Sequence, residues 1–207
     1  MQGCKLYLVR HGESVANANK LVGGHLDSIL TEKGRQQANS TKKLFSNIHF
    51  DDAYSSDLIR ALETGQIIYG KMIKPDHQLF DLRERTFGKL EGEPEKTWID
   101  IDKAYEDKYA LLPFSQRLEY NYADFIESDK LLLARFSKSL IKISKSHTGQ
   151  TVLIATHGGG IRVLLMKLGY SEYIGAGDFA NAGYVELMCK QNDFIIKNVI
   201  GVVKDKS

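Results

Sequence analysis

The stretch Thr151-Val152-Leu153-Ile154-Ala155, running straight into Thr156-His157-Gly158-Gly159-Gly160, decides the fold. A short apolar run without polar alternation has the length and composition of a strand buried on both faces. It stops at a histidine and three glycines, and Ile161 to Leu168 then reads as a helix. Lys5 to Val9 repeats the plan: a strand-length apolar run ends at Arg10-His11-Gly12-Glu13-Ser14, a small-residue turn into a second helix. A strand, a tight turn and a helix, made twice, point to an α/β domain with a mostly parallel sheet.

The intervening sequence fits that plan. Thr31-Glu32-Lys33 has the form of an N-cap with an early acid and opens a helix expected to reach about Ile48. Asp52 to Ser55 reads as a second strand and Leu58 to about Tyr69 as a helix, while Leu79 and Phe80 close a third short strand before Asp81-Leu82-Arg83-Glu84. A helix is expected near Glu95 to Lys108, within an irregular segment from Gly88 to Ser128. Asp129 to His147 carries Leu132, Leu133, Phe136, Leu140 and Ile143 at helical spacing. Two last strands, Tyr184 to Cys189 and Phe194 to Val199, are joined by Lys190 to Asp193 as a hairpin. No internal repeat, low-complexity linker or composition break divides the chain. The expectation is one domain over residues 1–207: a three-layer α/β/α sandwich on a doubly wound sheet, with residues 88–128 as a substrate-capping segment.

Composition narrows the function classes. The formal net charge is +2, and the lysines are scattered rather than striped, which gives no footprint for nucleic acid or a membrane surface. No apolar run is long enough to span a bilayer, and none reads as a signal peptide. Cys4 and Cys189 make neither a disulfide framework nor a metal motif, and their apolar neighbours suit buried thiols. The chain is therefore expected to be cytoplasmic. The six histidines include no closely spaced pair of the metal-ligand type.

In open α/β sheets ligands gather at the carboxyl ends of the strands. His11, Ser55-Ser56, Glu84 and His157 are all expected just past such ends. Each histidine taken alone reads as a satisfied structural residue, but the neighbours favour chemistry. Arg10 brings a planar fork of donors suited to a phosphate oxyanion. Gly12 permits a tight turn, and a helix N-terminus beyond it offers N–H groups to an anion. Arg60 falls in the first turn of a helix, the wrong end for a cation, a cost that a bound anion would offset. The bland alternative is that Arg60 pairs with Asp57 or Glu63.

Leu8-Val9-Arg10-His11-Gly12-Glu13-Ser14 with Asn17 resembles the signature of the histidine phosphatase superfamily, the phosphoglycerate mutase-like proteins. The resemblance continues through Asp27, Leu30-Thr31-Glu32-Lys33-Gly34 and Gln37-Ala38, then Ser55-Ser56-Asp57-Leu58 with Arg60-Ala61 and Thr64. It extends to Leu82-Arg83-Glu84 with Gly88 and ends at Thr156-His157-Gly158-Gly159. It implies the phosphoglycerate mutase-like fold and a metal-independent phosphatase without cofactor. His11 is then the nucleophile that takes the phosphoryl group, and Glu84 the general acid and later the base. Arg10, Asn17, Arg60, His157 and the Gly158 backbone hold the phosphate oxygens.

Gly23 stands where many family members carry a side chain able to touch phosphate or substrate, so only its backbone is available. Arg83 and Arg85 flank Glu84, and side chains that reached it would hold the carboxyl ionised, against its role as an acid. The gap from Glu84 to His157 is short for a mutase. Its features are Trp98, Tyr105, Tyr109, Tyr120, Tyr122 and Phe125, with Lys108 and Arg117 as scattered bases. The expected partner is a small phosphorylated metabolite of sugar phosphate, nucleotide or phosphoglycerate type, and an oligomer is left open. Mutase-type phosphoryl transfer is the first alternative, and a non-catalytic phosphoryl-binding scaffold the second.

Overall fold

A computed structural model describes residues 2–97, 111–120, 123–175 and 177–202. Among these residues, β1 (Cys4–Arg10), β2 (Asp52–Ser56), β3 (Gln78–Leu79), β4 (Thr151–Thr156), β5 (Phe179–Lys190) and β6 (Asp193–Val202) form one sheet in the order β3-β2-β4-β1-β5-β6. The first four strands are parallel. β5 and β6 follow as the antiparallel hairpin, with β5 against β1. The helices are α1 (Val15–Ala18), α2 (Glu32–Leu44), α3 (Ile59–Tyr69), α4 (Phe114–Leu118), α5 (Asp129–Ser146) and α6 (Gly158–Lys167).

Side-chain alternation along β1 sends residues to two cores. Leu6 and Leu8 join Val152 and Ile154 under Leu132, Phe136 and Leu140 of α5 and Ile161 and Leu165 of α6. Tyr7 and Val9 join Leu153 on the other face, against Ala38 and Phe45 beside α2 and Ile68 of α3. Both faces are covered, which is why the central strands read as continuous apolar runs. The result is the mixed α/β, three-layer architecture expected.

Several boundaries differ from expectation. α2 ends at Leu44 rather than Ile48, because Phe45 leaves helical geometry as the C-cap and Ser46-Asn47, poor helix formers, follow it. β3 stops at Leu79, and Phe80–Leu82 form a 3-10 turn. Ser55 and Ser56 lie inside β2 instead of beyond it. α6 starts three residues early, so Gly158, Gly159 and Gly160 are its first turn and His157 its N-cap. Of the helix expected over 95–108, residues 95–97 are helical and the remainder lies outside the described residues. The start of the 88–128 segment is tied to the loop after α1: Leu21 bridges Pro94, Val22 N–H donates to Glu93 O at 2.9 Å, and Leu90 and Ile126 pack on Val22.

Candidate active site

The neighbouring ends of β1 and β4 place His11 beside His157, with ring centroids 5.1 Å apart. His11 is fixed by its own backbone. Its N–H donates to Thr156 O at 2.9 Å, and its carbonyl accepts from Asn181 Nδ2 at 3.1 Å and Ala182 N–H at 3.2 Å. Both donors come from β5, where a register shift between Phe179 and Tyr184 carries Ala182 at φ 56°. Such bulges re-aim side chains near sites. The following turn needs glycine for space: a Cβ on Gly12 would meet Gly34 O at 2.3 Å, so α2 packs backbone to backbone on the loop.

The His11 tautomer follows from its neighbours. Nδ1 lies 2.7 Å from the Gly12 carbonyl, which only accepts, so Nδ1 carries the proton. Nε2 is left with its lone pair, toward which Arg60 Nε points at 3.3 Å. Burial, then Arg60, then Arg10 hold the His11 pKa well below the ordinary 6.5. The imidazole is therefore neutral with its lone pair on Nε2, the protonation state a nucleophile requires.

Arg60 is 3% exposed and pairs with neither Asp57 nor Glu63, which are taken by Arg83 and Arg35. Its fork donates to Leu26 O at 2.7 Å and Gly24 O at 2.6 Å, so the 24–26 loop aims it at His11. Burial lowers its pKa to about 10, which still leaves it cationic at neutrality. Thr64 Oγ1 donates to Arg60 O at 2.7 Å and accepts from Gly12 N–H at 3.0 Å, which locks α3 to the loop after His11. Asp27 accepts from Ile59 N–H at 2.9 Å and caps α3, a task the N-cap Leu58 has no side-chain oxygen to perform.

Arg10 donates through Nη1 to Phe179 O and packs along Gly158, where a Cβ would lie 3.4 Å from its Nε. Arg10 Nε and both ring nitrogens of His157 are buried with no hydrogen-bond partner among the described residues. Burial comes first, then Arg60, His11, Arg10 and Arg135, in holding the His157 pKa well below 6.5. Buried polar atoms are rarely left unpaired, and an anionic ligand would satisfy Arg10 Nε and the one N–H of the neutral His157 ring.

Glu84 faces the same space from the loop after the 3-10 turn. Its Oε1 accepts from Arg85 N–H at 2.8 Å and its Oε2 from Gly159 N–H at 3.0 Å, at the positive end of α6. The side chains of Arg83 and Arg85 are engaged by other carboxylates. Arg83 forms a two-pronged pair with Asp57 at 2.7 and 2.8 Å, and Arg85 pairs with the buried Asp129. Thr156 Oγ1 donates to Leu82 O at 2.8 Å and joins the end of β4 to the Glu84 loop.

The structure thus brings His11, Arg10, Arg60, Glu84, His157 and Gly158 together. Gly23 lies near the same arginine, and a Cβ there would find only Arg60 Nη2, at 4.0 Å. Asn17 closes a capping box at α1 in which its Oδ1 accepts from Ser14 N–H at 3.2 Å, tying down the oxygen end of the amide. Arg117 is buried, and donates to Leu112 O at 2.6 Å and to Glu172 O. Trp98, Tyr105, Lys108, Tyr109 and Tyr122 lie outside the described residues. Two contributors had no sequence signal: Arg135, a charge on an amphipathic helix, and His25, whose Nε2–H donates to Glu84 O at 2.9 Å.

Residues 6–200 match the family model for the histidine phosphatase superfamily (branch 1). A metal-independent phosphoserine phosphatase from Arabidopsis thaliana is 30% identical over 194 residues, covering 93% of this chain and 79% of that protein. A 2,3-bisphosphoglycerate-dependent phosphoglycerate mutase from Staphylococcus haemolyticus is 34% identical over 191 residues, covering 79% and 84%. The crystal structure of a phosphoserine phosphatase mutant from Entamoeba histolytica, in complex with phosphoserine, superposes with a TM-score of 0.75 at 25% identity. It covers 95% of this chain and 96% of that one.

Proposed function

The chain belongs to the histidine phosphatase superfamily, and on that premise we propose that it is a metal-independent phosphomonoesterase that acts through a phosphohistidine on His11. The observation that carries this reading is the His11 ring: neutral, with Nδ1 committed to Gly12 O, Nε2 met by Arg60, and the partnerless His157 ring 5.1 Å away.

A phosphate monoester seats its oxygens on Arg10, Arg60 and His157, with the Asn17 amide and the Gly158 N–H at the rim. His11 Nε2 attacks phosphorus in line, the Nε2–P bond forms, and the ester P–O bond breaks. Glu84 gives its proton to the departing alkoxide. A phosphate dianion beside the carboxyl favours the protonated form needed for that step. Glu84, now a carboxylate, takes a proton from water as the water attacks phosphorus, and the Nε2–P bond breaks to release phosphate. The arginines supply the fixed positive charge that stabilises the transition state, so the scheme has no step that requires a metal.

Relatives with phosphatase and with mutase names keep two substrate classes in play. The short segment after Glu84 supports hydrolysis. So does Arg117, which is committed to backbone carbonyls instead of being available for a substrate carboxylate. Small phosphorylated metabolites are the proposed substrates, in keeping with the phosphoserine bound by the Entamoeba protein.

The test is phosphate release in EDTA from sugar phosphates, nucleotides, phosphoserine, phosphoglycerates and an aryl phosphate. Wild type should turn over in EDTA, and His11→Ala should lose at least about 10³-fold in kcat. Transfer between phosphoglycerate hydroxyls without release would instead identify a mutase, and binding without turnover a scaffold. Release that persists in His11→Ala would refute the phosphohistidine.

A further inference from the structure

We propose that Arg135 is a positioning residue for the general acid: its guanidinium, clamped by Glu127, sets the backbone from Asp81 to Glu84 and so the place of the Glu84 carboxyl. The inference rests on the reading of Glu84 as the acid.

Arg135 projects from α5, and its planar fork is used on both edges. Nε and Nη2 each donate to a different oxygen of Glu127, both at 2.7 Å. This pair is largely buried, at 14% and 11% side-chain exposure. The remaining N–H groups converge on the acid loop. Nη1 donates to Asp81 O at 2.9 Å and Arg83 O at 2.8 Å, and Nη2 donates to Glu84 O at 2.8 Å. Carbonyls at the end of a helical turn have no internal acceptor role left to fill and need donors from elsewhere. Here a single side chain serves three of them. A lysine has the charge but no rigid fork with which to hold the carbonyls and a carboxylate at once.

The clamp is itself anchored. Glu127 N–H donates to Thr86 O at 3.0 Å, and Arg85 Nη1 donates to Glu127 O at 2.9 Å. Residues 84–86 and 127–129 are thereby laced together immediately beside the acid. With His25 on the same carbonyl, Glu84 has two donors on its backbone oxygen and two backbone N–H groups on its carboxyl. Arg135 hydrogen-bonds three carbonyls and the Glu127 carboxylate and none of the reacting atoms, so its positioning effect passes through Glu84, while the charge it places near His157 is kept in Arg135→Lys.

That indirect route has a signature. An acid matters when the leaving alkoxide is basic and hardly at all when it is a stabilised phenolate. The experiment measures kcat/KM, which reports the phosphorylation step alone, for an alkyl phosphate and for 2,4-dinitrophenyl phosphate in wild type, Arg135→Ala, Arg135→Lys, Glu127→Gln and Glu84→Ala. Arg135→Ala should lose about 10- to 100-fold on the alkyl ester and less than about threefold on the dinitrophenyl ester. Arg135→Lys and Glu127→Gln should show the same selectivity at smaller size, and they serve if Arg135→Ala does not fold. Equal losses on both esters across these variants would make the clamp a purely structural tie and overturn the proposal. Should Glu84→Ala lack leaving-group selectivity, the acid reading itself fails and takes this inference with it. Selectivity in Glu84→Ala but in none of the clamp variants refutes the inference alone.

Discussion

At the residue scale the site is built from cations around two neutral imidazoles. His11 and His157 have folded pKa values well below the ordinary 6.5, chiefly through burial and next through Arg60. Below pH 6.5 the unfolded chain therefore binds a proton at each position that the folded chain refuses. Stability from this source is complete above pH 6.5 and falls with acidification, by about 1.4 kcal/mol per pH unit for each histidine. Unfolding free energies measured in urea between pH 7 and 5 should show that slope, and His157→Asn should remove one histidine's share. An unchanged slope in His157→Asn would contradict its burial as a neutral ring. The two histidines and Arg10 were legible because they stand at strand ends next to glycine turns, and Arg60 because a cation in the first turn of a helix is out of place. Arg135 and His25 left none, because what defines them is a carbonyl far away in sequence. The feared pairing of Arg83 and Arg85 with Glu84 was equally unreadable, since Asp57 and Asp129 capture them only in three dimensions.

At the element scale the start of α6 carries most of the consequence. A glycine in a helix costs about 1 kcal/mol against alanine, yet three stand in its first turn. A Cβ on Gly159 would lie 2.1 Å from Glu84 Oε1, and one on Gly160 3.1 Å from the Phe136 ring. Gly159→Ala should therefore keep the fold, with a melting point near wild type, while kcat on an alkyl phosphate drops about 10²-fold. Full activity would show that the carboxyl does not need that place. Sequence reading began this helix at Ile161 because glycines signal turns, and the signal misled where glycine answers to crowding. The β5–β6 hairpin was foreseen, and its turn has room for improvement. Gln191 and Asn192 adopt φ of 54° and 72°, the type I′ arrangement that favours Asn-Gly. Gln191→Asn with Asn192→Gly should raise unfolding free energy by on the order of 1 kcal/mol. A lower denaturation midpoint would mean that the native side chains hold the turn by other contacts.

At the scale of the whole molecule, protection should grade across the sheet. β1 and β4 lie between both helical layers, whereas β6 is an edge strand with every residue exposed or half-buried. Hydrogen exchange should be slowest for Leu6 to Val9 and Val152 to Ala155 and fastest in β6. Uniform exchange would show that the sheet opens as one unit. The alternation of strands and helices made this architecture readable, because burial on both faces imposes unbroken apolar runs. The crossing order was not readable, since any strand of that composition fits any central slot. That order has a temporal side. β1 leaves the ribosome first, yet both of its partners in the sheet, β4 and β5, are encoded in the last third of the chain. Leu6 and Leu8, whose face is closed by α5 and α6, must wait uncovered through most of synthesis, and contacts so remote close slowly. The His11 carbonyl waits for Asn181 and Ala182 as well. A nascent chain halted before β5 would hold every arginine of the site and still be inert, a client for chaperones instead of an enzyme.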